Sequence, residues 1–304
     1  MNDGRTAHSL FLIFLDGYHI LSQHKVKSFR VKHPVAAFFW KDDHPFMMPK
    51  TKPSKNIFPD VRENTLLGGR VRLLQPKTGY RTAIDGVLLA AAVDNKVDDV
   101  VIDVGAGVGT ASLCLQACRP AAKIIGLELH QGLVDLANQN ACLNGWHPFV
   151  HSIQGDLKTP PAYFQGLLVD HVMMNPPYYR SNELGKKTEN LLRGQALYEG
   201  DSQLIDWLGF AWRHVKSKGV ITLIHVAHRL PEILAFFQEK TCAIKVFPLW
   251  PDQQKSANRV LVQIMKGAKT PFSLYPGLVL HTEDGSYTLQ AEGVLRHSQK
   301  IDWL

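Results

Sequence analysis

Val100-Val101-Ile102-Asp103-Val104-Gly105-Ala106-Gly107-Val108-Gly109-Thr110 is the stretch on which the fold turns. Its first five residues form a short β-branched run, and Thr110–Ala117 reads as a helix. The glycines therefore fall in a strand-to-helix turn. Glycine lets a backbone turn sharply and lets a ligand come close where a Cβ would block it. A tight turn with no ligand is the plainer alternative, and a glycine-rich loop alone does not decide between them.

On both sides of this stretch, strands and helices alternate. Thr82–Val93 reads as an apolar helix, Lys123–Leu129 as a strand, and Gln131–Leu143 as a helix stopped by Asn144-Gly145. Phe149–Ile153 and Leu168–Met174 read as strands, Gln203–Val215 as a helix, Gly219–His225 as a strand and Pro231–Gln238 as a helix. Ile244–Pro248 and Arg259–Met265 close the series as strands. Such alternation predicts an α/β fold, Rossmann-like, with a mostly parallel sheet and helices on both faces. Ahead of it, Gly68-Gly69 and Val71–Leu74 suggest a hairpin or strand, and Asp284-Gly285 within Leu278–Tyr287 suggests another hairpin.

Residues 1–60 read differently, with five of the 14 histidines and four prolines between Pro45 and Pro59. Proline restricts itself and its predecessor, so this segment is expected to be a poorly ordered extension, ahead of one domain over 61–304. Initiation at Met47 or Met48 would account for it. The segment carries nine Lys/Arg and five Asp/Glu, so +4 of the formal +7 charge lies there. A basic chain favours polyanionic partners, though weakly. The apolar run Leu10–Leu15 is interrupted by Asp16 and falls far short of the roughly 20 residues of a membrane span. The four cysteines, Cys114, Cys118, Cys142 and Cys242, form no zinc pattern, so neither metal nor membrane is expected, and a reducing cytoplasm suits them.

The chemistry gathers after the strands. Glu128 lies 19 residues beyond Gly109, at the end of the next strand, where a carboxylate can accept hydrogen bonds from both ribose hydroxyls of a nucleoside. Asp156, after Gly155, could accept from an adenine amino group; alone, Gly-Asp is an ordinary turn. Asp103 precedes the glycines. A carboxylate there repels a pyrophosphate and suits a cationic, amino-acid-bearing ligand. That favours S-adenosyl-L-methionine over a nicotinamide dinucleotide.

Asn175-Pro176-Pro177-Tyr178 follows the strand Leu168–Met174. An exocyclic amine is a poor nucleophile because its lone pair is delocalised. The Asn175 amide oxygen and the Pro176 carbonyl can each accept one N–H, Pro177 stiffens the loop, and Tyr178 offers an aromatic face to an unstacked base. As a bare tetrapeptide this would be a proline turn capping a strand.

With these residues in order, the chain resembles the class I methyltransferases of the small-domain, amino-methylating group, and looks most like the bacterial tRNA(Val) adenine N6-methyltransferases. The resemblance covers roughly residues 66–296, including Gln75-Pro76-Lys77-Thr78-Gly79-Tyr80-Arg81-Thr82-Ala83-Ile84-Asp85-Gly86-Val87-Leu88-Leu89. It implies a seven-stranded sheet with its last strand antiparallel, and it places Tyr80, Arg81 and Asp85 beside the cofactor and the substrate entrance. It implies methyl transfer from S-adenosyl-L-methionine to an adenine N6 in RNA, with tRNA the expected partner and a monomer the simpler expectation.

The expected site is then Asn175, Pro176, Pro177 and Tyr178 for catalysis. Tyr80, Arg81, Asp85, Asp103, Gly105, Gly107, Gly109, Glu128, Asp156 and Asn175 are expected to hold the cofactor. A glutamine side-chain amide in a translation factor is the rival acceptor, but such enzymes carry a helical N-terminal domain that the proline-rich start does not resemble. DNA adenine methylation would need a larger recognition insertion, and a non-catalytic binding module would have no use for two aimed acceptors. His225 and His228 read as core or solvated, and Trp207, Trp212 and Trp250 as packing residues. Arg180, Lys186, Lys187 and Arg193 could touch RNA phosphates or simply be solvated.

Overall fold

The first described strands are β1 (Val61–Leu66) and β2 (Val71–Pro76), an antiparallel hairpin joined through Leu67–Gly69. The structure is a computed structural model that describes residues 60–77, 84–121, 123–180 and 199–303. The expected N-terminal extension, Tyr80, Arg81, Lys186, Lys187 and Arg193 lie outside those residues.

Next come α1 (Asp85–Ala92), β3 (Val100–Val104), α2 (Thr110–Cys118), β4 (Lys123–Glu128), α3 (Gln131–Leu143), β5 (Val150–Gln154) and β6 (Val169–Met174). After the undescribed 181–198 come α4 (Leu204–His214), β7 (Val215–Val226), α5 (Leu230–Phe237), β8 (Cys242–Trp250) and β9 (Arg259–Lys266). Two short strands, β10 (Ser273–Leu274) and β11 (Leu278–Val279), and helix α6 (Leu289–His297) complete the chain.

The central sheet runs β10-β8-β9-β7-β6-β3-β4-β5, with β11 also on β8. Strands β3 to β7 are parallel, and β9 lies antiparallel between β7 and β8. The expected seven strands are all present, and the last of them in chain order is the reversed one. This order is the class I methyltransferase arrangement of a Rossmann-like sheet. After β3 the chain works outward to β4 and β5, then returns to lay β6 on the other side of β3. The β3–β6 junction is thus the switch point beyond whose carboxyl ends open sheets bind ligands.

Local chemistry explains the boundaries. Helix α1 is buried all round, matching its uniformly apolar sequence apart from Asp85. A capping box between Gln203 and Asp206 starts α4, proline in its first turn starts α5, and the Thr288 hydroxyl caps α6 by accepting from Ala291 N–H. Gly145, at φ +72°, follows the end of α3.

Asn140 on α3 and Asn144, which caps its end, also hold the hairpin. Asn140 is fully buried; its Oδ1 accepts from Leu74 N–H, and its Nδ2 donates to the carbonyls of Leu74 and Val108. Asn144 repeats the pattern on Arg72, accepting from its N–H and donating to its carbonyl.

Two details depart from the expectation. The hairpin expected over Leu278–Tyr287 keeps its turn but forms one bridge, His281 to Tyr287, while Leu278–Val279 joins β8 in parallel. Strand β7 begins at Val215, four residues before the expected Gly219, directly after α4.

Candidate active site

A cleft of about 480 Å³ opens at the carboxyl ends of β3, β4, β5 and β6. Asp85, Asp103, Gly105, Gly107, Glu128, Asp156, Asn175, Pro176, Pro177 and Tyr178 all border it. Among the described residues, one expected there does not. Gly109 sits at φ +84° before α2, where an added Cβ would lie 3.4 Å from that of Ala137. Its N–H donates to the Ala106 carbonyl, and its own carbonyl accepts from Leu113 N–H at the start of α2.

The glycine loop needs its glycines. Gly105 and Gly107 have φ of +69° and +56°, the left-handed region that side chains disfavour. A Cβ on Gly105 would fall 2.4 Å from the Trp207 ring. Trp207, expected as a packing residue, is indeed buried, but it also borders the cleft, and its indole N–H has no hydrogen-bond partner. Trp212 and Trp250 do pack as expected, Trp212 edge-on to Phe237 and Trp250 donating to the Pro276 carbonyl.

The three carboxylates stand at successive strand tips in different environments. Asp103 is buried and accepts from the Ser112 hydroxyl at 2.7 Å. Burial, aided by the Glu128 charge, pushes its pKa up to about 7, against the pull of the Ser112 hydrogen bonds. Glu128 accepts from Gly107 N–H through Oε2 and from His130 N–H through Oε1, both at 2.9 Å. Each carboxylate oxygen keeps further capacity for an O–H donor. Asp156 is half-buried and accepts from Lys158 N–H.

Asn175 follows β6, and its Oδ1 is buried with no hydrogen-bond partner. Leaving a buried acceptor unmade costs about 1–3 kcal/mol, which an incoming N–H would offset. Tyr178 is buried and donates its hydroxyl to Asp85 Oδ2 at 2.7 Å. Burial first, then the charge and hydrogen bond of Asp85, keep its phenol protonated, with Arg259 working the other way. A carboxylate buried as deeply as Asp85 needs polar partners, and here they are Tyr178 and Arg259.

Behind the tetrapeptide, Arg229 and Glu199 form an ion pair 2.7 Å apart, 4% and 6% exposed, so neither charge is screened by water. Glu199 also accepts from Leu204 N–H, and its own N–H donates to the Tyr179 carbonyl. Arg180 and Arg229 share Glu232. His225 is fully buried against Tyr178, and burial together with Arg229 lowers its pKa to about 4; His228 is exposed.

Among the described residues no metal-binding cluster of His, Cys, Asp or Glu occurs, and no helix is long and apolar enough to cross a membrane. Buried Cys114 has its thiol pKa driven up by desolvation.

A reversed strand next to the end of a parallel sheet, with a cleft at the β3–β6 junction, is the sheet arrangement of the class I methyltransferase fold. Residues 83–197 match the family described as methyltransferase small domain. The tRNA1(Val) (adenine(37)-N6)-methyltransferase of Shewanella sp. strain MR-4 is 28% identical over 219 residues, covering 70% of this chain and 89% of that protein. A 4-amino-L-phenylalanine/4-methylamino-L-phenylalanine methyltransferase of Streptomyces pristinaespiralis is 30% identical over 151 residues, 46% of this chain and 48% of its own. Among solved structures, a predicted O-methyltransferase from Agrobacterium tumefaciens matches with a TM-score of 0.58 at 22% identity, covering 72% of this chain and 98% of that one.

Proposed function

We propose that this methyltransferase acts on the exocyclic N6 of an adenine in RNA, with tRNA as the substrate and S-adenosyl-L-methionine as the methyl donor. The observation that carries this is the buried, unpartnered Asn175 Oδ1 on the cleft that also holds Asp103, Glu128 and Asp156.

The residues suit such a donor. Glu128 would take the ribose hydroxyls and Asp156 the adenine amino group. Asp103 would face the cationic amino-acid portion, whose charge favours the ionised carboxylate. Gly105 and Gly107 keep the loop free of side chains. When bound, S-adenosyl-L-methionine supplies a methyl group on a positively charged sulfur.

The chain's own contribution is orientation more than base catalysis. Asn175 Oδ1 and the Pro176 carbonyl accept the two N–H bonds of the amine, favouring a pyramidal nitrogen with its lone pair free. Pro177 limits loop motion, so the acceptors are in place beforehand. The Tyr178 ring borders the space for a planar base. His225, with its lowered pKa, is neutral near pH 7 and adds no cation behind the ring.

Two relatives support the choice. The Shewanella protein is named for adenine in tRNA, and the Streptomyces protein for an amine on an aromatic ring. Both names describe a nitrogen whose lone pair is delocalised into a ring. The test is incubation with donor labelled in the methyl group and separated pools of tRNA, rRNA, DNA and protein, with N6-methyladenosine identified after nuclease digestion. Label confined to protein would move the acceptor to a glutamine side chain and end the proposal.

A further inference from the structure

Residues far apart in sequence fix the Tyr178 ring. Its hydroxyl donates to one oxygen of Asp85 at 2.7 Å, and Arg259 Nε lies 2.9 Å from the other. The Arg259 guanidinium also sits over the Tyr178 ring, 5.5 Å from its centroid. His225 meets that ring at 5.5 Å between centroids, with the planes 63° apart. Asp85 is only 3% exposed, and a carboxylate so deep needs a cation to remain charged.

Arg259 is the first residue of the reversed strand β9. Because β9 runs against its neighbours, its beginning lies beside the end of β7, with Arg259 opposite Val226. It reaches the ligand end of the sheet from the direction opposite to every other strand residue of the cleft. Burial works against its charge, but Asp85 and Tyr178 hold its pKa above the ordinary arginine value.

We propose that Arg259 is a positioning residue for the methyl acceptor. Through Asp85 it holds the Tyr178 ring at one angle beside Asn175, giving an aromatic amine a fixed flat surface. The proposal rests on the reading of Tyr178 as the stacking partner of the acceptor. Arginine suits the task better than lysine: a guanidinium is planar and can pair with a carboxylate while lying across a ring, whereas an ammonium is a compact point charge. The arrangement meets the acceptor side of the cleft and makes no contact with Asp103, Glu128 or Asp156, the carboxylates at the tips of β3, β4 and β5. It therefore acts on acceptor recognition and not on donor affinity.

The experiment compares Arg259→Ala and Arg259→Lys with the wild-type enzyme. For an adenine-containing oligoribonucleotide, Arg259→Ala should raise the acceptor KM by about tenfold or more, while the calorimetric Kd for S-adenosyl-L-methionine changes by less than about twofold. Arg259→Lys should recover part of the loss, since it keeps the charge beside Asp85. An unchanged acceptor KM in folded Arg259→Ala, or equal losses for donor and acceptor, overturns the proposal. If the alanine variant does not fold, Arg259→Gln carries the same measurement.

A crystal structure of the variant without substrate decides the point independently. A Tyr178 ring in its wild-type orientation overturns the proposal, and a turned ring supports it. A wild-type enzyme that methylates no amine would end the functional reading while leaving this structural result to stand or fall alone.

Discussion

Gly107 donates its N–H to Glu128 Oε2 at 2.9 Å, so the carboxylate at the end of β4 is tied to the loop that follows β3. The residue expected to grip the donor also shapes the loop beneath it. Glu128→Ala should weaken binding of S-adenosyl-L-methionine by about 10–100-fold, the range expected for one or two charge-assisted hydrogen bonds. Glu128→Gln, which can still accept from Gly107, should lose less. Isothermal titration of both variants checks the order.

Asp103 should make binding of the proposed donor sensitive to pH. Its carboxyl titrates at about 7 in the folded protein against 3.8 ordinarily, so between those values the folded state holds the extra proton. Stability should fall as pH rises from about 4 to about 7 and level off above. A cationic donor favours the ionised form, so its affinity should rise by at most about tenfold per pH unit below pH 7 and then flatten. Asp103→Asn should remove the pH dependence of both, and stabilise the ligand-free protein at pH 8 by about 1–3 kcal/mol. Thermal melts and titrations at pH 5–8 measure this; parallel curves for wild type and variant would refute it.

Asn175→Ala should separate binding from transfer. Donor affinity should stay within about threefold of wild type, while kcat drops by about 100–1,000-fold, the usual effect of deleting one preorganised transition-state contact. Single-turnover kinetics at saturating donor gives the number.

Gly105→Ala should fail twice over, through its left-handed φ and through the Trp207 ring 2.4 Å from the new Cβ. A loss of about 1–3 kcal/mol in stability is expected, with donor binding lost. Adding Trp207→Ala should relieve the collision without restoring the backbone geometry, so the double variant should recover stability only in part. Denaturant unfolding compares them.

Arg229→Ala would strand the Glu199 carboxylate, and a broken buried pair costs about 3–5 kcal/mol. The double variant Arg229→Leu/Glu199→Leu should be less destabilised than the single one, because no unpaired charge remains. Chemical denaturation tests the difference.

Most of the frame could be read from local pattern. Runs such as Val100–Val104 and Lys123–Glu128 carry their own hydrophobic period and end in glycine or acidic residues. In a parallel sheet the residues just after strands share one end, so Asp103, Glu128, Asp156 and Asn175 could be gathered without coordinates. Arg259 escaped for the same reason: in a reversed strand the site end comes first. Trp207 escaped because it lies in the first turn of α4 with no local mark of its contact with Gly105. Arg229 and Glu199 are 30 residues apart, and only folding shows that the two charges meet away from water. Helix α6 escaped because polar residues and Gly293 break up its apolar positions, of which only Ala291, Val294 and Leu295 are buried.

Asn140 and Asn144, in and at the end of α3, have a consequence for how the molecule meets copies of itself. An outer strand with free amides and carbonyls invites a stranger to add on, and that is how sheets grow into aggregates. On β2, Asn140 and Asn144 occupy those groups at Leu74 and Arg72 with side-chain amides, in the positions a further strand would take. The hairpin is thereby sealed by a helix that imitates a strand, and this stretch of backbone offers no template for intermolecular pairing.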